Sequence, residues 1–203
     1  PVAITKFPSP DSVEGYSDFK PNPTGLIREV FDKDYIVSTQ KPDYKFDPAW
    51  ISEATRRQYV QNNGLRFLRD YQLKAIKSIQ ESVKKGNDRF LFEMATGTGK
   101  TLVSAAVIKL FLRTGNARRV LFLVDRLELE NQAKKAFVNY LKNDYQTVVY
   151  KENRDDWRKA EIVISTVQTF MSKNRYKRLF APDDFDLVIS DEAHRSIGGN
   201  SRA

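Results

Sequence analysis

The chain has 203 residues, 40% of them hydrophobic and 30% charged, enough for one sizeable core, which excludes disorder of the whole chain. It has no cysteine and a single histidine, His194, so a disulfide framework and a thiolate metal site are excluded and a structural metal is not expected. No apolar run approaches the roughly 18 residues of a membrane span and no signal peptide opens the chain. A cytoplasmic protein without membrane contact is therefore the expectation, and the lack of an initiator Met marks Pro1 as the start of an excised piece. The net charge of +8 is uneven, because residues 1–68 carry nine basic and nine acidic side chains. All the excess lies in 69–203, as a polyanion-binding surface or simply as solvated charge.

Seven of the eight prolines fall within the first 48 residues and no sustained hydrophobic period runs between them, so 1–47 reads as an extended connector. Asp47 and Pro48 supply an N-cap and a first-turn proline, and Gly64 a stop, which predicts a helix over 48–63. A second helix is predicted over 70–85, with Leu73, Ile76, Ile79 and Val83 on one face and Gly86 ending it. From there short apolar runs alternate with helical stretches. The runs at 90–92, 120–124, 147–150, 162–164 and 187–189 are apolar on both faces and read as buried parallel strands. Between them lie a nearly all-apolar helix at 100–114 and an amphipathic one at 127–142, with Leu129, Ala133, Ala136, Phe137, Tyr140 and Leu141 as its stripe. The alternation predicts an open α/β sheet with right-handed crossovers.

Directly after the first run stands Met94-Ala95-Thr96-Gly97-Thr98-Gly99-Lys100-Thr101, followed by a helix. Strand, glycine loop, Lys-Thr and helix in that order make a phosphate-binding loop. The glycines let backbone N–H groups face an anion, the helix dipole adds to them, Lys100 reaches the β- and γ-phosphates and Thr101 ligates magnesium. The strict pattern wants Gly where Met94 stands, a departure that suits helicase-type loops better than small GTPases. Ninety residues on, another apolar strand ends in Ser190-Asp191-Glu192-Ala193-His194. An acidic pair just past a buried strand is costly unless it serves a cation. Asp191 would hold magnesium, Glu192 would orient and deprotonate the attacking water, and His194 is counted with them as catalytic.

The loop and the Asp-Glu-Ala-His tetrad resemble superfamily 2 helicases and translocases over about residues 66–198. Leu68-Arg69-Asp70-Tyr71-Gln72 resembles the family's adenine-recognition segment. The resemblance implies that Gln72 reads the adenine edge, that Arg69 lies against the base, and that Ala95, Thr96, Gly97, Thr98, Gly99, Lys100 and Thr101 hold the phosphates. Val124-Asp125-Arg126 with Gln132, and Ser165-Thr166-Val167-Gln168-Thr169, resemble two further motifs that touch the nucleic-acid backbone. This implies contacts from Arg126, Thr166 and Gln168. More narrowly, FLFEMATGTGKT, VLFLVDRLELENQA, ISTVQTF and FDLVISDEAHRSIGG together look like the motor subunit of type I restriction enzymes.

That resemblance implies a RecA-like P-loop domain, with a parallel sheet between helices, in an ATP- and Mg2+-dependent translocase of double-stranded DNA. The expected partners are a second RecA-like domain and a nuclease domain of the same subunit, and the specificity and methylation subunits of a restriction complex. On this reading 1–47 is a linker from an upstream domain, 48–68 a helical lead-in, and 69–203 the first RecA-like domain, truncated after the tetrad and without turnover of its own. A superfamily 2 helicase acting on RNA or damaged DNA, and a non-enzymatic nucleotide-gated DNA-binding scaffold, stand as alternatives. The basic run Lys173-Asn174-Arg175-Tyr176-Lys177-Arg178 reads either as solvated charge or as a phosphate or interdomain contact.

Overall fold

The computed structural model describes residues 19–152, 157–171 and 180–191. Four parallel strands form one sheet: β1 (Val120–Val124), β2 (Thr147–Val149), β3 (Ile162–Thr166) and β4 (Leu187–Ser190), in the order β2-β3-β1-β4. Val120 faces both Ile162 and Leu187 in register, and Thr147 faces Ile162. Alternation along the strands divides the core in two. Val120, Phe122, Val124, Ile162 and Ile164 point to one face, and Leu121 and Val163 point to the other.

The helices follow in chain order: α1 (Pro23–Arg28), α2 (Val37–Gln40), α3 (Pro48–Ile51), α4 (Glu53–Asn62), α5 (Asp70–Lys84), α6 (Lys100–Arg113), α7 (Leu127–Leu141) and the short α8 (Val167–Met171). The first face packs against α1, α5, α6 and α7 through Leu26, Ile76, Ile79, Ile108, Leu110 and Phe137. The second face holds Trp157, Phe180 and Phe185, joined by Phe170 of α8. The expected parallel sheet between helices is therefore present.

The run at 90–92 does not form the expected strand. A strand exists only through its neighbours' hydrogen bonds, and among the described residues β4 pairs with β1 alone. Leu91 is left 86% exposed, while Phe90 packs against the core with its ring 6.5 Å from that of Phe111.

The helix predicted over 48–63 is two helices. Asp47 caps the first as anticipated, accepting the Ala49 N–H at 3.0 Å ahead of Pro48, and Gly64, with φ of 60°, ends the second. The chain bends between them at Ser52, where ψ is 122°. The bend turns Trp50 into a cluster in which it stacks on Phe67 at 5.4 Å and meets Tyr44 edge-on at 4.7 Å. Arg56 and Thr55 take the carbonyls freed by the break, those of Trp50, Ile51 and Ala49.

The larger correction concerns the expected extended connector. Residues 22–40 form a strap across the outer ends of the helices, with Leu26, Phe31, Tyr35 and Ile36 inside the main core. Gln80 of α5 donates to the carbonyls of Leu26 and Glu29 at 2.8 and 2.9 Å, and Asn116 donates to that of Asn22 at 2.7 Å. Leu68 N–H donates to the Lys33 carbonyl at 2.7 Å, and ion pairs join Arg113 to Glu29 and Lys33 to Asp70. Proline density misled the reading because three of these prolines begin or border helical turns rather than separate them: Pro23 and Pro48 at first-turn positions and Pro42 beside a 3-10 turn.

Candidate functional site

Helix α6 begins at Lys100 and buries Leu102, Val103, Val107, Ile108 and Leu110. At about 1.5–3 kcal/mol for each large apolar side chain, this burial outweighs the roughly 1 kcal/mol entropic cost of each glycine in the loop before it. The loop is therefore mounted on a rigid platform. Gly97 and Gly99 stand at φ of 78° and 85°, a region that favours glycine, and Gly99 is the residue preceding the helix. A Cβ at Gly99 would also lie 2.6 Å from Gln72 Nε2, so a side chain there would displace that amide in addition to straining the backbone angle. Among the described residues, no backbone acceptor takes the N–H of Gly97 or Gly99. A curled loop with unspent N–H groups ahead of a long buried helix has the chemistry of an anion cradle. Lys100 and Thr101 open that helix, and Ala95, Thr96 and Thr98 form the rim.

Gln72 is 2% exposed and engaged at both ends. Its Nε2 donates to the Thr98 carbonyl at 2.9 Å and its Oε1 accepts the Arg69 N–H at 2.9 Å. One N–H and one lone pair remain, behind almost no exposed surface. The contact this structure gives Gln72 is thus with the loop, while Arg69, beside it, is exposed. Tyr71, which the sequence reading passed over, donates its hydroxyl to the same Thr98 carbonyl at 2.6 Å.

Asp191 follows β4, and its N–H donates to the Leu123 carbonyl at 2.9 Å, which extends the parallel ladder by one residue. Asp125, Thr166 and Asp191 thereby stand at the carboxyl ends of the adjacent strands β1, β3 and β4. Met94 and Leu102, on either side of the loop, pack into the same core cluster as Val124 and Ile189, the residues nearest those ends. Glu192, His194 and the basic run at 173–178 lie outside the described residues.

The three residues expected on nucleic acid do not share one face. Arg126 is exposed at the start of α7, with its Nε 3.6 Å from Asp125, an adjacent and exposed pair worth little. Gln168 is exposed on α8. Thr166 is turned inward at 1% exposure. Its Oγ1 accepts the Thr169 N–H at 3.0 Å and is hydrogen-bonded to the Thr169 hydroxyl at 2.8 Å. Its side chain caps α8.

Two buried charges were also missed. Glu130 accepts the Thr166 N–H at 2.9 Å, tying the start of α7 to the end of β3, and burial raises its pKa against that hydrogen bond. Its position was readable, since 130, 133, 137 and 141 form one helical stripe. Lys109 is 1% exposed in α6, and its Nζ donates to the Tyr35 carbonyl at 2.6 Å, to Ser38 Oγ at 3.0 Å and to Thr39 Oγ1. The Tyr35 ring lies 4.5 Å from it, and burial pushes the ammonium pKa down to about 8. The signal was a lone lysine inside an otherwise apolar helix.

Comparison with known proteins agrees with this arrangement. Residues 66–203 match the family described as type III restriction enzyme, res subunit. The chain is 34% identical over 165 residues to the type I restriction enzyme EcoAI endonuclease subunit of Escherichia coli, covering 78% of this chain and 19% of that protein. It is 32% identical over 146 residues to the EcoKI endonuclease subunit of Escherichia coli strain K12, covering 65% and 12%, and 27% identical over 166 residues to the SsaAORF53P endonuclease subunit of Staphylococcus saprophyticus, covering 75% and 17%. The chain thus spans less than a fifth of the length of these relatives. With a family match over residues 66–203 and a four-stranded parallel α/β sheet beneath the glycine loop, the chain belongs to the family of the type III restriction enzyme res subunit, as a helicase-like domain close to the motor subunit of type I restriction enzymes.

Proposed function

We propose that this chain supplies the ATP-binding half of a double-stranded DNA translocase in a restriction enzyme of the type I kind. The observation that carries the reading is the cradle at 97–101: two glycines at positive φ, unspent N–H groups and Lys100 at the start of a buried 14-residue helix. In this reading the N–H groups and Lys100 bind the phosphates of ATP, and Thr101 and Asp191 hold Mg2+, both being oxygen donors suited to a hard cation. The metal, when bound, neutralises charge developing between the β- and γ-phosphates. In this reading Glu192 accepts a proton from the attacking water and His194 acts with it. Arg126 and Gln168, the two exposed members of the expected set, hold DNA phosphates, since a motor that steps along any sequence must grip the uniform backbone. The second motor domain, the nuclease domain, and the specificity and methylation subunits are the partners of the complete machine.

The test is Lys100→Ala in the complete subunit, assayed for DNA-stimulated ATP hydrolysis. Positioning and charge stabilisation are nearly all the catalysis available to phosphoryl transfer, so turnover is expected to fall at least about a hundredfold. Retained turnover overturns the reading. A wild-type subunit that binds DNA in a nucleotide-dependent way yet never hydrolyses ATP would replace the motor by a nucleotide-gated scaffold.

A further inference from the structure

Two donors converge on one carbonyl oxygen at the centre of the loop. Tyr71 Oη lies 2.6 Å and Gln72 Nε2 2.9 Å from the oxygen of Thr98, so both of its lone pairs are engaged. The Thr98 hydroxyl is turned elsewhere, to the Ala95 carbonyl at 2.6 Å. A peptide unit is planar and trans, with its C=O and N–H pointing in opposite directions. Holding the Thr98 carbonyl toward α5 therefore fixes the Gly99 N–H on the far side, away from Tyr71 and Gln72. This matters because the 98–99 peptide plane turns about ψ of Thr98 and φ of Gly99, and at Gly99, which stands at positive φ, no side chain opposes the rotation. A rotated plane would present a carbonyl oxygen where an anion needs a donor.

We infer that the Tyr71 hydroxyl is a positioning group of the phosphate loop: with Gln72 it locks the Thr98–Gly99 peptide so that the Gly99 N–H stays available to a polyphosphate. Tyr71 acts through the backbone and touches no part of the nucleotide. The inference rests on the reading of 94–101 as a phosphate loop and gives that loop a support outside its own sequence. Gln72 supplies the buried half of the lock. Tyr71, 42% exposed, supplies a half that can be removed without opening the core.

The experiment uses the complete subunit with Tyr71→Phe, Tyr71→Leu and Lys100→Ala, and measures the Kd of ATP and of inorganic triphosphate together with KM and kcat for hydrolysis. A neutral hydrogen bond biasing a two-state peptide predicts about fivefold weaker binding of both ligands to Tyr71→Phe. KM should rise more than kcat falls, and Tyr71→Leu should be no weaker than Tyr71→Phe. Wild-type affinity in Tyr71→Phe with loss only in Tyr71→Leu would assign the effect to the ring and overturn the proposal. Weaker ATP with unchanged triphosphate would move Tyr71 to the adenine side and also overturn it. In either case, lost triphosphate binding in Lys100→Ala leaves the phosphate-loop reading standing. Retained triphosphate binding in Lys100→Ala removes that reading, and this one with it.

Discussion

The loop at 94–101 and the strap at 22–40 are both held by side chains from α5 onward, yet they are opposite in their hydrogen-bond accounts. In the strap, Gln80, Asn116 and Lys109 bond the carbonyls of Leu26, Glu29, Asn22 and Tyr35, and Asn143 reaches that of Thr39 at 2.5 Å. These carbonyls are spent inside the protein. In the loop the carbonyls of Ala95, Thr98 and Gly99 are tied, while the N–H groups of Gly97 and Gly99 are left unspent. Carbonyls bonded by distant side chains mark architecture, whereas N–H groups left open at the start of a helix stay available to an anion.

The sharpest way to break this comparison is Lys109→Ala. It removes the ammonium donor from the buried Thr39 hydroxyl and one of the two side-chain donors, Lys109 and Ser38, from the Tyr35 carbonyl, and opens a cavity beneath the strap. About 3–5 kcal/mol of stability should be lost, read as a lower denaturant midpoint. The affinity of the remaining folded protein for inorganic triphosphate should not change. A loss of affinity without a loss of stability would show that the strap serves the ligand site directly.

A smaller effect tests the charge on Lys109. Its folded pKa of about 8 lies below the ordinary lysine value of 10.5, so between those values the unfolded chain binds the extra proton and stability rises with pH. The contribution is absent below about pH 8 and grows toward pH 10, amounting to about 1–3 kcal/mol. Burial also raises the pKa of Tyr35, Tyr44 and Tyr145, which acts with the opposite sign, but only above about pH 10 where unfolded tyrosines ionise. Melting temperatures of wild type and Lys109→Met should therefore diverge in slope between pH 8 and 10, with the variant flatter. Parallel slopes would mean that Lys109 does not titrate in that range.

The smallest effect expected is at Arg126, whose exposed pairing with Asp125 leaves its guanidinium within reach of solvent and DNA. Arg126→Ala in the complete motor should weaken binding alike on unrelated duplexes and lower the slope of log affinity against log salt by about one. An unchanged slope would assign Arg126 to the same class as the strap's ion pairs.

Much of this was legible because it is local. The caps at Asp47 and Gly64, the face of α5, the ends of α6 and α7 and four of the five apolar runs follow from periodicity and capping chemistry that a few neighbouring residues carry by themselves. The loop's glycines were legible for the same reason, since positive φ is a property of the residue that adopts it. Glu130 and Lys109 were written in plain sight as charges on apolar stripes. What they bond could not be read there, because their acceptors and donors lie 36 and about 70 residues away.

By itself the sequence determined the alternating α/β pattern, the phosphate-loop signature and the family, each of which rests on the order of residues along a short stretch. Only the tertiary structure decided which apolar run becomes a strand, since pairing needs a neighbour that 90–92 does not find among the described residues. It also turned residues 22–40 of the proline-rich segment into a buried strap, faced Thr166 inward and set Tyr71 against Thr98 across 27 residues of chain. In each case the deciding quantity is the pairing of polar groups removed from water, and that pairing is settled by distant partners in space.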